Sequence, residues 1–320
     1  MVKYLIQRIL ISIPTLIAIS IVIFAILALA PGDPMGEFAL NSGITAEVRE
    51  NIRRSLGLDQ PTHIRYIKWV TAFISGDMGY SFTSRTSVSS LIFQRLPVTL
   101  WIVGSAYFLG TLLAVPLGVI SALKRNSTFD MVLTTLVFFG FSLPTFFTSL
   151  LLIIIFSVQL KWLPFIYNSD LQVTDLNSFF ELIKQSIMPI FVLGIWQTAV
   201  LMRFVRSEIL ENIHKDYVRT AYAKGLPHYI VIIRHVLRNA LIPVVTLVAL
   251  DIPSIFTGAL VIEKVFRVPG IGALLIDSIN SSDTPVVMSI TFIYGILIVI
   301  FNLIADVLYG LLDPRVSSTK

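Results

Sequence analysis

The sequence predicts an all-α membrane protein: six transmembrane helices, with a helical extracytoplasmic segment between the first and second. Composition is the first observation behind this. Of 320 residues, 55% are hydrophobic and only 13% charged, with mean hydropathy +0.84, whereas soluble domains carry about 25% charged residues. The second is the spacing of apolar runs, since about 20 apolar residues rising about 1.5 Å each cross the hydrocarbon core. Six runs qualify, at 9–30, 97–123, 131–158, 187–204, 241–262 and 286–309. The net charge of +5 does not indicate nucleic acid, because the basic residues sit beside apolar runs rather than on a soluble face. The absence of cysteine excludes disulfides, thiolate metal sites and thiol nucleophiles, and leaves the redox compartment undetermined.

The first run follows Lys3 and Arg8 and ends in Ala28-Leu29-Ala30, which is reminiscent of a secretory signal, but it is too long for a signal core of about 7 to 15 residues. Lys and Arg in short loops set the orientation. Lys3, Arg8, Lys124, Arg125, Arg315 and Lys320, together with the basic residues between the fourth and fifth runs, fall on one side. The other short loops hold Lys161, Lys184, Lys264 and Arg267. Both termini are therefore expected in the cytoplasm.

The outer segment 31–96 is read as helical. Thr45 can cap a helix with the stripe Val48, Ile52, Leu56 and a stop at Gly57. After Pro61, Ile64, Ile67, Thr71 and Ile74 share a face, with Tyr66 and Trp69 suited to the headgroup level. Such a segment is either a packed cap on the bundle or a platform for a partner.

The cytoplasmic loop 203–240 carries the functional signal. Arg203, Arg206, Lys215, Arg219, Lys224, Arg234 and Arg238 outnumber Glu208, Glu211 and Asp216. Attraction to anionic lipid alone would explain that bias. The internal order asks for more: Asp216 is a candidate N-cap, Tyr217, Ala221 and Gly225 lie at i, i+4 and i+8, and Gly225 with Pro227 ends the helix. A short helix with a small-residue face suits docking on another protein, and the fourth run leads into it without an obvious break.

Arg219-Thr220-Ala221, three residues, then Gly225 resembles the EAA loop of permease subunits of binding-protein-dependent ABC importers. Arg219 and Thr220 stand where the general pattern has Glu and Ala, and His235-Val236-Leu237-Arg238 replaces its distal part. The variant resembles the dipeptide/oligopeptide/nickel branch. So do Pro31-Gly32-Asp33-Pro34, Leu56-Gly57-Leu58-Asp59-Gln60-Pro61, Gly76-Asp77-Met78-Gly79-Tyr80-Ser81, Arg95-Leu96-Pro97-Val98-Thr99-Leu100, and Glu263-Lys264-Val265-Phe266 before Pro269-Gly270-Ile271-Gly272.

The resemblance implies a type I importer permease, one domain over 1–320 in a prokaryotic cell membrane. It implies a second homologous permease subunit, two ATPase subunits that bind ATP and Mg, and an extracytoplasmic substrate-binding protein. Asp216, Tyr217, Arg219, Thr220, Ala221, Lys224 and Gly225 would form the ATPase-coupling helix. The branch implies short peptides as cargo, with nickel chelates or oligosaccharides as alternatives. No cofactor site is expected in this chain, which lacks the G-x-x-x-x-G-K-[ST] loop.

Asp251, beside Pro253 in the fifth run, is expensive at that depth and should face the bundle interior or water, in a structural or pathway-lining role. Pro116, Pro144, Pro189, Pro243 and Pro253 interrupt runs, with Gly110, Gly118, Gly140, Gly194 and Gly258 nearby as helix-packing points. Asp306 and Asp313 suit a solvated interface at the inner end of the last run. His63, His214, His228 and His235 form no ligand set. An ion-coupled secondary transporter would show paired repeats and several intramembrane charges, and an intramembrane hydrolase a nucleophile and base. Neither pattern is evident.

Overall fold

The computed structural model describes residues 2–29, 59–257 and 259–312. Among them the fold is helical, with one isolated bridge between Tyr80 and Ser87 and no strand. The expected capping at Thr45, the stripe to Leu56, Gly258 and Asp313 lie outside the described residues. Five helices are long and apolar enough to span a membrane: Ile6–Ala28, Val88–Leu123, Leu176–Asn212, His228–Val265 and Thr284–Leu308. A bent pair, Thr128–Gly140 with Thr145–Gln159, makes six if it is one crossing.

We label the helices α1 (Val2–Leu29), α2 (Thr62–Ile74), α3 (Val88–Leu123), α4 (Thr128–Ser142), α5 (Thr145–Gln159), α6 (Leu176–Asn212), α7 (Asp216–Ala223), α8 (Arg238–Thr257), α9 (Leu260–Val265), α10 (Ile271–Asn280) and α11 (Thr284–Leu312). A π-helical stretch, Val231–Leu237, leads into α8.

The third apolar run is not straight. Its halves meet at 96°, because Leu143 precedes Pro144 and takes an extended conformation (φ −83°, ψ 129°). Proline's ring disfavours the helical region for the residue before it. The Pro144 carbonyl restarts the helix, accepting from Phe147 N and Thr148 N.

The centre of the bundle is the α3–α6 seam. Ala106, Gly110, Ala114, Gly118 and Ala122 are buried at intervals of four along α3. In lipid, where apolar burial gives little drive, small residues let backbones approach and gain dispersion contact. The approach is close: a Cβ on Gly118 would lie 2.8 Å from Val205 Cβ and 2.9 Å from the Met202 carbonyl oxygen. Gly110 packs as tightly on Gln197 and the Gly194 carbonyl.

α2 lies against α1 and α11 through its aromatic side. Tyr66 and Trp69 meet Phe24, and Trp69 and Phe73 meet Phe292. The Tyr66 hydroxyl lies 2.8 Å from Ser20 Oγ. Ile64, Ile67 and Ile74 point outward and are exposed. The apolar stripe predicted from sequence is thus the outer face, because the larger rings bury more area per side chain.

Two terminal helices are tied by an ion pair missed in the sequence. Arg8 Nη1 lies 3.1 Å from Asp306 Oδ2, so Asp306 joins α1 to α11 rather than being merely solvated.

Candidate functional site

The loop between α6 and α8 folds onto its own bundle. α6 ends at Asn212, and residues 213–215 form a turn before α7 starts at Asp216. The expected unbroken run from the fourth span into the loop is therefore interrupted. The capping expectation is corrected too: Lys215 occupies the N-cap position, with no side-chain cap bond, and Asp216 is the first helical residue. There its carboxylate faces the positive end of the helix dipole. It also lies 3.5 Å from Arg219 Nη1 in an exposed pair that contributes little to stability.

The stop is built as expected at Gly225. It has φ +76°, a region in which side chains with a Cβ are strained. Its N–H donates to the Tyr222 carbonyl, and Leu226 N donates to Ala221 O.

The two faces of α7 are unlike. Val218 and Ala221 are buried, 1% and 5% exposed, in a cluster with Val205, Ile209, Val231, Val236 and Ala240. Tyr217 is half-buried and donates to Asn212 Oδ1 at 2.8 Å. The small residue Ala221 thus faces inward. The outward face, at spacings of three and four, is Asp216, Arg219, Thr220, Ala223 and Lys224, all exposed. Tyr222 turns aside to stack on His228, with its hydroxyl 2.6 Å from Nδ1. Among the described residues nothing lies within 4 Å of where a Gly225 Cβ would stand, so the loop presents an open, polar corner.

Just inside this corner, a buried ion pair fixes α6. Arg206 Nη2 donates to Asp130 Oδ2 at 2.8 Å and Nε to Oδ1 at 3.0 Å. Asp130 also accepts from Asn126 N at 3.0 Å and from the Ser121 hydroxyl. The turn after α3, the start of α4 and the C-terminal half of α6 thereby meet at one carboxylate. Sequence reading counted Arg206 as a loop charge; Asp130, in the first turn of a predicted span, was the available signal for its partner.

Asp251 sits half-buried on α8. Its side chain interacts with Gln197 of α6, and the nearby Tyr107 of α3 donates its hydroxyl to Val248 O at 2.8 Å. It takes part in none of the ion pairs among the described residues. Three helices thus cross at a polar group, well apart from α7.

Two further carboxylates were missed as structural centres. Glu263 is 0% exposed, accepting from Thr99 Oγ1 at 3.0 Å and from Ala273 N at 2.7 Å. The Thr99 oxygen itself accepts from Ile271 N at 2.8 Å. Asp283, 1% exposed, accepts from Phe82 N at 3.1 Å, Thr83 N at 3.2 Å and the Ser81 hydroxyl. Each ties separate segments of the chain together, among the described residues through N–H and O–H donors without a cation.

Among the described residues no group of three or more His, Asp or Glu is placed to hold a metal.

Comparison with known proteins covers the whole chain. The family described as "Binding-protein-dependent transport system inner membrane component" matches residues 114–318, and its N-terminal counterpart matches residues 1–103. The oligopeptide transport system permease protein AppB of Bacillus subtilis is 41% identical over 317 residues, 99% of each chain. The glutathione transport system permease protein GsiC of Salmonella choleraesuis is 36% identical over 316 residues, again 99% of each. A solved amino acid ABC transporter with histidines aligns at TM-score 0.46 and 15% identity, covering 71% of this chain and 94% of that one.

Proposed function

This chain belongs to the binding-protein-dependent transport system inner membrane components, a multi-pass permease of a peptide ABC importer, and from that premise we propose how it works. Its spans line the pathway for short peptides and alternate between outward and inward access. ATP is hydrolysed on separate ATPase subunits, which bind nucleotide and Mg, while a second homologous permease completes the pathway and an extracytoplasmic binding protein delivers cargo. Both termini lie in the cytoplasm, on the side favoured by the Lys and Arg of the short loops.

The observation that carries the coupling role is the division of α7 into two faces. The polar face of Asp216, Arg219, Thr220, Ala223 and Lys224 is available to an ATPase subunit, while Val218 and Ala221 are packed among α6 and the lead-in to α8. Force on the outer face therefore passes to the spans as a rigid displacement, since packed cores shift as units. Asp251, with Gln197 beside it, is assigned to the pathway wall, where an intramembrane carboxylate with no cation paired to it among the described residues meets water or cargo.

Gly225→Trp tests the coupling. A Cβ there meets nothing within 4 Å among the described residues, so the indole projects from the open corner toward a docked partner, and Gly225→Asn, a residue that tolerates positive φ, controls for the backbone. In the assembled transporter the Trp variant abolishes peptide-stimulated ATP hydrolysis and remains inserted, while the Asn variant retains most of it. Unchanged stimulation in the Trp variant would overturn the assignment.

A further inference from the structure

We propose that the cleft between α4 and α6 binds an anionic phospholipid of the cytoplasmic leaflet. The cleft has a volume of about 270 Å³; its walls include Val137, Phe138, Val200 and Met202, and Arg203 and Arg206 line it as well. Direction matters here. Asp130, which holds Arg206, is in the first turn of α4, at the cytoplasmic end given by the charge bias. Phe138 is eight residues further along, about 12 Å deeper into the hydrocarbon. The cleft thus runs from a cationic end at the membrane surface to an apolar end within the bilayer, which is the polarity of a phospholipid standing in that leaflet.

The cationic end is prepared for a phosphate. Asp130 and Ser121 hold the Arg206 Nε and Nη2 groups, and Nη1 has no hydrogen bond to protein among the described residues. The head of this guanidinium is fixed and partly desolvated, with its side chain 26% exposed, and still has donors to give. Arg203, one turn away on the same helix and exposed, adds a second cation. Lys124 and Arg125 follow at the adjoining α3–α4 turn. Asp130 pairs with Arg206, and a headgroup entering the corner meets the further cations of Lys124 and Arg125 at its edge. Basic pockets between membrane helices on this side favour anionic headgroups, by about 1 kcal/mol per cation, or about fivefold. An apolar protein segment would fill the slot but leave the guanidinium donors unanswered, so a two-part ligand with phosphate and acyl chain fits better.

Native mass spectrometry of the chain purified with its co-expressed subunits, from nanodiscs containing phosphatidylglycerol and phosphatidylcholine, tests this. The readout is retained lipid mass and does not depend on transport, so it is separable from any failure of the importer mechanism. Wild type retains phosphatidylglycerol preferentially. Arg203→Gln lowers that preference about fivefold, and Val200→Trp, which fills the slot without altering charge, lowers retention of both lipids, while Lys184→Gln, exposed near the opposite end of α6, leaves the cleft lipid in place. Undiminished retention in both cleft variants, with thermal stability like wild type, would overturn the site. So would a photo-crosslinker at residue 200 that labels a second permease chain or a peptide instead of lipid.

Discussion

Gly270→Ala isolates one close contact, because its backbone needs no glycine. Gly270 has φ −99° and ψ −177°, which alanine adopts freely. What excludes a methyl is Glu263: the added Cβ would stand 2.2 Å from Oε1 and 2.3 Å from Cδ, about 1 Å inside van der Waals contact. The carboxylate cannot retreat without leaving Thr99 Oγ1 and Ala273 N. Hydrogen bonds to a charged group contribute about 1.5 to 3 kcal/mol each, so losing both costs about 3 to 6 kcal/mol. For a chain of this size that is a fall of about 4 to 9 °C in thermal midpoint, measured on the purified chain in detergent. Gly194→Ala is the control, since its nearest neighbour would be at 3.5 Å. Adding Glu263→Ala removes the clash, so Gly270→Ala must cost far less in that background. A Gly270→Ala midpoint within about 2 °C of the Gly194→Ala control would refute the reasoning.

Other expectations can be checked together. Gly118→Ala must push α3 from Val205 and the Met202 carbonyl, and loses about 1 to 3 kcal/mol by thermal unfolding. Arg206→Ala leaves Asp130 buried without its cation and costs about 3 to 5 kcal/mol; the double change Arg206→Met with Asp130→Leu recovers most of it, and equal losses would contradict the ion-pair account. Asp283→Ala frees the donors of Phe82 and Thr83, so limited proteolysis between Tyr80 and Ser87 accelerates while the remaining helices stay protected. Asp251→Asn lowers uptake of cationic peptides and spares neutral ones; wild type and variant taking up both classes equally would remove Asp251 from cargo contact.

Hydropathy made the membrane class and apolar runs legible, because the bilayer sets a length that no loop imitates. It says less about what lies across a helix. Pro144 stood out as an interruption, but the 96° bend also depends on Leu143 being driven out of the helical region. Periodicity found an amphipathic pattern after Pro61, yet isoleucine and aromatic stripes compete for burial, and only packing against Phe24 and Phe292 decides for the rings. The start of α7 slipped by one residue because Asp is favoured both at an N-cap and in a first turn. Glu263, Gly270 and Gly272 were quoted as a sequence signature, but their common cause is a carboxylate filling the space above two missing Cβ atoms, visible only when residues seven and nine apart are brought together.

Under the coupling role proposed for α7, its inward side answers to the stability of this subunit and its outward side to a different molecule. Substitutions at Arg219, Thr220, Ala223 or Lys224 can therefore accumulate without disturbing Val218 or Ala221. Such a helix can exchange one docking specificity for another while the fold stays fixed, so transplanting those four outward side chains between related permeases is a direct route to rewiring which motor drives which pathway.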